Sequence, residues 1–550
     1  MTARVLLYDT TLRDGAQTEG ISFSVEDKVR ITEQLDALGV PYIEGGWPGS
    51  NPKDVEFFTR MAKRRLAHAT LTAFGSTRRA DCSAAKDPNL RALVAAQTRV
   101  VTIFGKSWDL HVREVFRIPL EQNLKMIHES VAFLKKHGAR VFYDAEHFFD
   151  GYKDNPAYAM HTVQAAEEAG AEVLILCDTN GGSLPSEIGR ITAAAKLDLG
   201  VPLGIHTHND CGLGVANALA AVEAGATQVQ GTINGYGERC GNADLVCLLP
   251  VLQLKMGVAC LPADRLQALT ETARFIAEIS NMGLRSTHPF VGPSAFAHKG
   301  GVHVNAVMKN PRTYEHLDPR LVGNERRILV SELSGKSSLV LRAKGLALNL
   351  EKETPEAKKL LGLLQRLEHE GYHFEAAEGS FELLLRRAMQ RYRRFFELDG
   401  FRVVIEKRGD GALTSETIVK VRVDGQLEHT AAHGDGPVNA LDNAVRKALK
   451  AFYPTLAQMH LADFKVRVLD EKAGTAAKVR VLIQSQDAHD SWGTVGVSTN
   501  IIEASWQALA DSIEYKLLKD RVGTRDRRQG TGKNPKNAPA SRAQRPVSRR

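Results

Sequence analysis

Along the first 256 residues, short runs rich in β-branched and apolar side chains alternate with longer stretches whose apolar positions recur every three or four residues. The short runs read as strands at 4–8, 40–44, 69–74, 99–104, 139–143, 172–177, 201–206 and 226–231. Between them the longer stretches read as amphipathic helices, such as the one that keeps Leu120, Leu124, Ile127, Val131 and Leu134 on one face. Another starts at Ser24-Val25-Glu26-Asp27, a capping-box arrangement, and holds Ile31, Leu35 and Leu38 together. Eight consecutive βα units predict an α/β fold, the (β/α)8 TIM barrel. A doubly wound sheet uses the same repeat, and repeat number alone does not close a barrel.

Residues 257–285 continue as helix and are expected to lead away from the barrel. A polar, His-rich stretch follows at 286–330, then charged helical segments at about 353–396. From residue 399 the periodicity changes to two related β-β-β-α blocks. The first has strands at 401–407, 415–423 and 426–432 and a helix from 437; the second has strands at 464–469, 475–485 and 491–498 and a helix from 500. KVRV occurs at 420–423 and again at 478–481, and Ala440 and Ala444 correspond to Ala504 and Ala508, so the blocks read as an internal duplication. Neither block holds an obvious nucleophile or metal cluster, which points to binding, dimerisation or regulation. A chain of 550 residues exceeds one ordinary core. Its expected parts are a catalytic barrel (1–285), linker subdomains (286–396), a regulatory domain (397–524) and a basic disordered tail (525–550).

With 43% hydrophobic and 25% charged residues, the chain has ample apolar material for burial. No apolar run is long enough to span a bilayer, and MTARVLLYDTTLRDG lacks the regions of a signal peptide, so a cytoplasmic protein is expected. The six cysteines (Cys82, Cys177, Cys211, Cys240, Cys247 and Cys260) form no CxxC pair and are expected to stay reduced and structural. The net charge of +8 belongs to the C-terminus: residues 521–550 hold ten Lys or Arg and one acid, +9, which leaves −1 for the other 520. That tail cannot build a core and has no aromatic residue to stack on bases, which argues against a nucleic-acid partner.

The strongest chemical signal is HTHND, His206 to Asp210, directly after the seventh run. Residues i and i+2 of a strand point the same way, so His206 and His208 either present two imidazoles to one ion or hydrogen-bond one another. Position favours the ion, because barrel chemistry sits where strands end. The first run ends in DTTLRDGAQ, where Asp14 supplies the carboxylate of a two-His, one-carboxylate site and Arg13 a cation that polarises a carbonyl. A surface Arg-Asp pair is the plainer alternative. Polar residues also end the fifth, sixth and eighth runs: Glu146 in YDAEH, Asp178 and Thr179 in CDTNGG, and Asn234 to Asn242 in NGYGERCGN. A purely structural barrel does not require polar residues at five strand ends.

These motifs, together with YIEGGWPGSNP, DAEHFFDG and HKGGVHVNAV, make the first 330 residues resemble the 2-isopropylmalate synthase, homocitrate synthase and citramalate synthase family. The C-terminal blocks resemble that family's regulatory domain, best in GDGPVNALDNA and TVGVSTNIIEAS. TIFGKSWDLHV and FYDAEHFFDGYKDNP look most like the citramalate synthase branch. The resemblance implies an acyltransferase that condenses acetyl-CoA with a small 2-oxo acid, pyruvate in that branch, and hydrolyses the thioester. It also implies a divalent metal ion (manganese, magnesium, zinc or cobalt) on Asp14, His206 and His208, with Asn242 as a fourth ligand or near neighbour. Arg13 would stabilise the forming alkoxide, Thr179 and Gln17 would hold the substrate, and Glu146 would orient acetyl-CoA or its enolate. His303 would be the base that removes a methyl proton, with Tyr314 nearby, and His298 competes for that role. Both histidines lie beyond the barrel, so the middle region is expected to fold back over a barrel mouth, from the partner subunit of a homodimer. Isoleucine is implied as an inhibitor acting through the duplicated blocks. A 2-isopropylmalate or homocitrate synthase would differ in the size of the oxo-acid pocket. A related lyase would not need the duplicated blocks, and a non-catalytic amino-acid sensor would not need the metal motif.

Overall fold

A computed structural model describes residues 4–262, 264–329, 354–407, 409, 411–469 and 471–530. Eight strands close into a barrel: β1 (Leu6–Asp9), β2 (Tyr42–Gly46), β3 (Thr70–Ser76), β4 (Val100–Lys106), β5 (Arg140–Glu146), β6 (Val173–Asp178), β7 (Leu203–Thr207) and β8 (Gln228–Gly231). Each pairs in parallel with the next, and β1 pairs with β8 from Leu6↔Gln228 to Asp9↔Gly231. All eight expected strands form, and the doubly wound alternative falls with the closure. Seven of them run one to three residues further toward their C-terminal ends than the apolar runs do. Those extra residues are the polar ones at the barrel mouth, which carry no hydrophobic signal.

Alternation decides what each strand presents. Along β6, Leu174 and Leu176 join the core between sheet and helices, whereas Val173, Ile175 and Cys177 point into the barrel. The same parity sends Tyr8, Tyr42, Val100 and Phe142 inward, where Tyr42 and Phe142 pack edge to face with centroids 5.3 Å apart. The interior is thus a filled core at that level, not a pore. Continuing the strands at the same parity reaches Glu44, Phe74, Phe104, Asp144, Glu146, His206 and Gln230.

The first outer helix, Val25–Leu38, starts from the expected box: Ser24 Oγ accepts from the Asp27 amide at 3.1 Å, and Asp27 accepts from the Ser24 amide at 2.8 Å. It buries Ile31, Leu35 and Leu38 and ends at Gly39 in the left-handed region, φ 92°. The helix Leu269–Ile279 does not lead away from the barrel. It buries Leu269, Ala273 and Ile276 in the barrel's core, and Thr272 accepts a hydrogen bond from Gln34 on the first helix at 3.0 Å. An apolar face of that spacing has to be covered, and the barrel wall covers it.

Contacts divide the chain into two units, Met1–Ala297 with Glu315–Arg327, and His298–Tyr314 with the remainder. The middle region is therefore shared between them: Phe290, Val291, Phe296 and Val322 join the barrel's core. Within the second unit, helices Pro355–Glu370 and Glu378–Ala388 precede two three-stranded antiparallel sheets. One comprises Glu397–Lys407, Leu413–Val423 and Gln426–Gly434, followed by helix Pro437–Leu449; the other comprises His460–Val468, Val479–Gln486 and Ser491–Ser498, followed by helix Ile501–Gly530. Both expected blocks form. Each first strand slips register at the matching place, between Leu398 and Gly400 and between Leu461 and Asp463. The last helix continues to Gly530 through arginines and a glutamine, good helix formers, so residues 525–530 of the stretch expected as a disordered tail are helical. Residues 531–550 of that expectation lie outside the described residues. No helix among the described residues is long and apolar enough to cross a membrane.

Replacing Ser24 by Ala removes one half of the capping box and should cost about 1 kcal/mol. A lowered urea midpoint of the barrel unit measures that loss, and an unchanged midpoint would mean the cap contributes nothing.

Candidate active site

The strand ends converge around a cavity of about 190 Å³ at the C-terminal mouth of the barrel. The carboxylate of Asp9, at the end of β1, accepts from the Thr11 amide (3.0 Å) and hydroxyl (2.8 Å). That turn leads into the short 3-10 segment Gly15–Gln17 and leaves Asp14 facing the cavity, 2% exposed. Asp14 is therefore not half of a surface pair. Its Oδ2 lies 3.4 Å from His206 Nε2 and 3.9 Å from His208 Nε2, and the two nitrogens are 3.2 Å apart.

This donor set fits a divalent cation. Two nitrogens each about 2.0–2.1 Å from a shared ion stand roughly 2.9–3.4 Å apart, depending on the bond angle. His206 Nδ1 is engaged with Gln230 Oε1 at 3.0 Å, which leaves Nε2 as the ligating atom. Asp14 Oδ1, His208 Nδ1 and Asn242 Oδ1 are buried with no hydrogen-bond partner among the described residues. Asn242 is bridged to His208 through the backbone, so the motif after β8 stands beside the one after β7. Two imidazoles and a carboxylate at an open mouth suit a transition-metal ion with positions left for a ligand.

The local charges support the same arrangement. Burial opposes ionisation of Asp14, yet the Arg13 guanidinium and His206 hold its carboxyl well below the usual carboxylate range. Burial also disfavours a proton on His206, but hydrogen bonding to Asp14 outweighs it and raises the pKa. Burial and the neighbouring His206 push His208 down to about 4. Burial and Glu44 push Asp144 up to about 7.

Arg13 is held by two carboxylates and a ring. Its Nε donates to Glu44 Oε1 at 2.6 Å, its Nη1 lies 3.3 Å from Asp14 Oδ2, and its Cζ stacks 3.7 Å from the Phe74 centroid. Glu44 is fully buried and also accepts from Thr10 Oγ1 at 2.6 Å and from Tyr8. Trp47 meets Phe74 and Phe104 edge-on at 5.7 and 5.6 Å, and those two rings stack at 5.5 Å, which makes an aromatic wall for the cavity. The Thr179 hydroxyl accepts from the His147 amide at 2.8 Å, and its carbonyl accepts from Arg239 at 2.7 Å. Arg239 is in turn fixed by a two-pronged pair with Asp210, at 2.8 and 3.0 Å. Glu146 pairs with Lys106.

Arg13, Asp14, Gln17, Glu146, Thr179, His206 and His208 thus share one cavity. His303 and Tyr314 lie in the second unit, where their rings stack with centroids 4.2 Å apart. His298 ends the two-residue strand Ala297–His298. Sequence reasoning assigned no role to Glu44, Asp144, Gln230 or the aromatic wall. Parity was the available signal for Glu44 and Asp144, which stand two residues after the inward-facing Tyr42 and Phe142; Gln230 and Trp47 have no such marker.

A family model described as HMGL-like matches residues 4–276, one described as homocitrate synthase post-HMGL domain-like matches 290–368, and one described as the LeuA allosteric (dimerisation) domain matches 375–517. The chain is 56% identical over 522 residues to an (R)-citramalate synthase of Aquifex aeolicus, covering 94% of this chain and 99% of that one. An (R)-citramalate synthase of Geobacter sulfurreducens is 54% identical, over 94% of this chain and 98% of its own. The chain belongs to the citramalate synthase family. A probable 2-isopropylmalate synthase of Methanopyrus kandleri is a looser relative, 29% identical over 95% of this chain and 100% of that one.

A metal ion on His206 would compete with the imidazole proton for one nitrogen. Calorimetric titration with a divalent metal at pH 7, repeated in buffers of different ionisation enthalpy, should show release of up to about one proton per ion. Affinity should fall as pH drops further below the raised His206 pKa. Uptake that releases no proton and does not depend on pH would remove His206 from the ligand set.

Proposed function

We propose that this chain condenses acetyl-CoA with pyruvate and hydrolyses the resulting thioester, releasing (R)-citramalate and CoA, the first step of a threonine-independent route to isoleucine. One observation carries the reading: identity above 50% to (R)-citramalate synthases along nearly the whole chain, against 29% to a probable 2-isopropylmalate synthase. We assign residues 1–285 to catalysis, 286–396 to linkers that carry the base, 397–524 to regulation and dimerisation, and 525–550 to a basic tail. The cytoplasm is the proposed setting, in keeping with six unpaired cysteines.

A divalent ion on Asp14, His206 and His208, with Asn242 as a ligand or neighbour, would supply Lewis acidity and fix the orientation of the oxo acid. The remaining work belongs to side chains. Thr179 and Gln17 hold pyruvate, the threonine at its carboxylate. Arg13, immobilised by Glu44 and Phe74, stabilises the negative charge that develops on the keto oxygen as the carbon–carbon bond forms. The methyl of acetyl-CoA is a very weak acid, so its proton must leave as the enolate is generated; His303, with Tyr314 against its ring, takes it. Glu146 orients the enolate. Water then adds to the thioester carbonyl, and the CoA sulfur leaves and gains a proton, which drives the sequence forward.

A pocket that closes around the methyl of pyruvate excludes an isopropyl group. Pyruvate should therefore exceed 2-oxoisovalerate in kcat/KM by at least about tenfold, a discrimination of about 1.4 kcal/mol. Measured CoA release with the two oxo acids decides it, and a reversed preference would move the chain to the leucine route. Isoleucine should inhibit the full chain, and a chain ending near residue 396 should keep some activity without the inhibition. Full-length enzyme indifferent to isoleucine, leucine and valine would refute a regulatory role for the duplicated sheets.

A further inference from the structure

Gln230 is the last inward-facing side chain of β8, and it is fully buried, as His206 on β7 nearly is. Its amide stands between two partners. Oε1 lies 3.0 Å from His206 Nδ1, and Nε2 donates to Asp144 Oδ1 at 3.1 Å. The direction of both bonds is set at the Asp144 end. A carboxyl oxygen accepts there, so the amide turns its NH₂ toward Asp144 and its oxygen toward His206. An amide oxygen only accepts, so His206 Nδ1 carries the ring hydrogen and the neutral ring keeps its lone pair on Nε2. Nε2 is the atom 3.4 Å from Asp14 and 3.2 Å from His208. Among the described residues no equivalent support reaches the other imidazole, whose Nδ1 is buried without a hydrogen-bond partner there. The two histidines are therefore unequal, one oriented from behind and one not.

We propose that Gln230 is a positioning residue for the metal centre, relaying from Asp144 to hold His206 in the tautomer and ring orientation that aim Nε2 at Asp14 and His208. This rests on the reading of Asp14, His206 and His208 as the ligands. The relay lowers the cost of binding because the neutral ring is fixed in one tautomer and one orientation, leaving only Nε2 to be freed of its proton. It also accounts for an amide at this position. An amide accepts at one end and donates at the other, whereas a carboxylate would face Asp144 with like charge and no proton to offer.

The test uses the full chain stripped of metal and titrated with Co²⁺, followed by calorimetry and by visible absorption, so that no step depends on turnover. Gln230→Leu keeps most of the volume and removes both bonds. It should weaken Co²⁺ binding by about 10–100-fold and shift the absorption band as the His206 ring turns. Combining Asp144→Asn with Gln230→Glu reverses donor and acceptor along the first bond of the relay while preserving an acceptor for His206 Nδ1, and should recover most of the lost affinity. Where Gln230→Leu fails to fold, Gln230→Met serves in its place. Wild-type affinity and spectrum in the folded single variant, or a loss that the paired exchange does not recover, would overturn the relay. Failure of the wild-type chain to take up Co²⁺ would instead overturn the metal-site reading beneath it.

Discussion

Pairing of the first strand with the eighth is the constraint from which the mouth of the barrel follows. Leu6 to Asp9 run in step with Gln228 to Gly231, and the ladder continues past the strands: the Thr10 amide donates to the Gly231 carbonyl at 2.9 Å, and the Ile233 amide to Thr11 Oγ1 at 2.9 Å. The turn that carries Arg13 and Asp14 is thereby fastened beside the loops after β7 and β8. An open sheet with the same eight repeats would leave β1 without that neighbour. Asp14 would then have no route to His206 and His208.

Closure also creates an electrostatic problem that the site turns to use. Glu44 and Asp14 are buried carboxylates, and a buried charge without partners costs several kcal/mol. Arg13 lies between them; Thr10 shares Glu44 Oε1 with it, and Tyr8 donates to Oε2. The guanidinium is for that reason preorganised rather than mobile, which is what stabilising a developing alkoxide requires. The same logic extends through Asp144 and Gln230 to His206, so two inward-facing polar chains converge on the cavity from behind.

The second unit follows a different rule. Its two sheets are copies, down to the register slip in each first strand, and each is followed by a helix; the second also packs Val495 and Val497 against the helices Pro355–Glu370 and Glu378–Ala388. Ile405 and Val468 stand at equivalent positions of those first strands and are 54% and 47% exposed, which a dimerising module can use. Residues 375–517, which include both sheets, match the model described as the LeuA allosteric (dimerisation) domain.

Much of this was legible in the chain itself, because periodicity is local. Alternation and helical spacing identify all eight barrel strands and both duplicated blocks, and HTHND and DTTLRDGAQ put two histidines and a carboxylate at strand ends. The helix at 269–279 was misjudged because its apolar face shows that it must pack but not against what. Parity could place Glu44 and Asp144 on the inward face, but nothing local in the sequence says which side chains meet there, and Gln230 follows no inward apolar residue on its own strand. Only the tertiary structure decided that Glu44 lies beneath Arg13, that Asp14 meets two histidines nearly two hundred residues away, and that Gln230 stands behind one of them. Those contacts depend on which strands become neighbours when the sheet closes, and closure is a property of the whole barrel that no segment of the sequence carries alone.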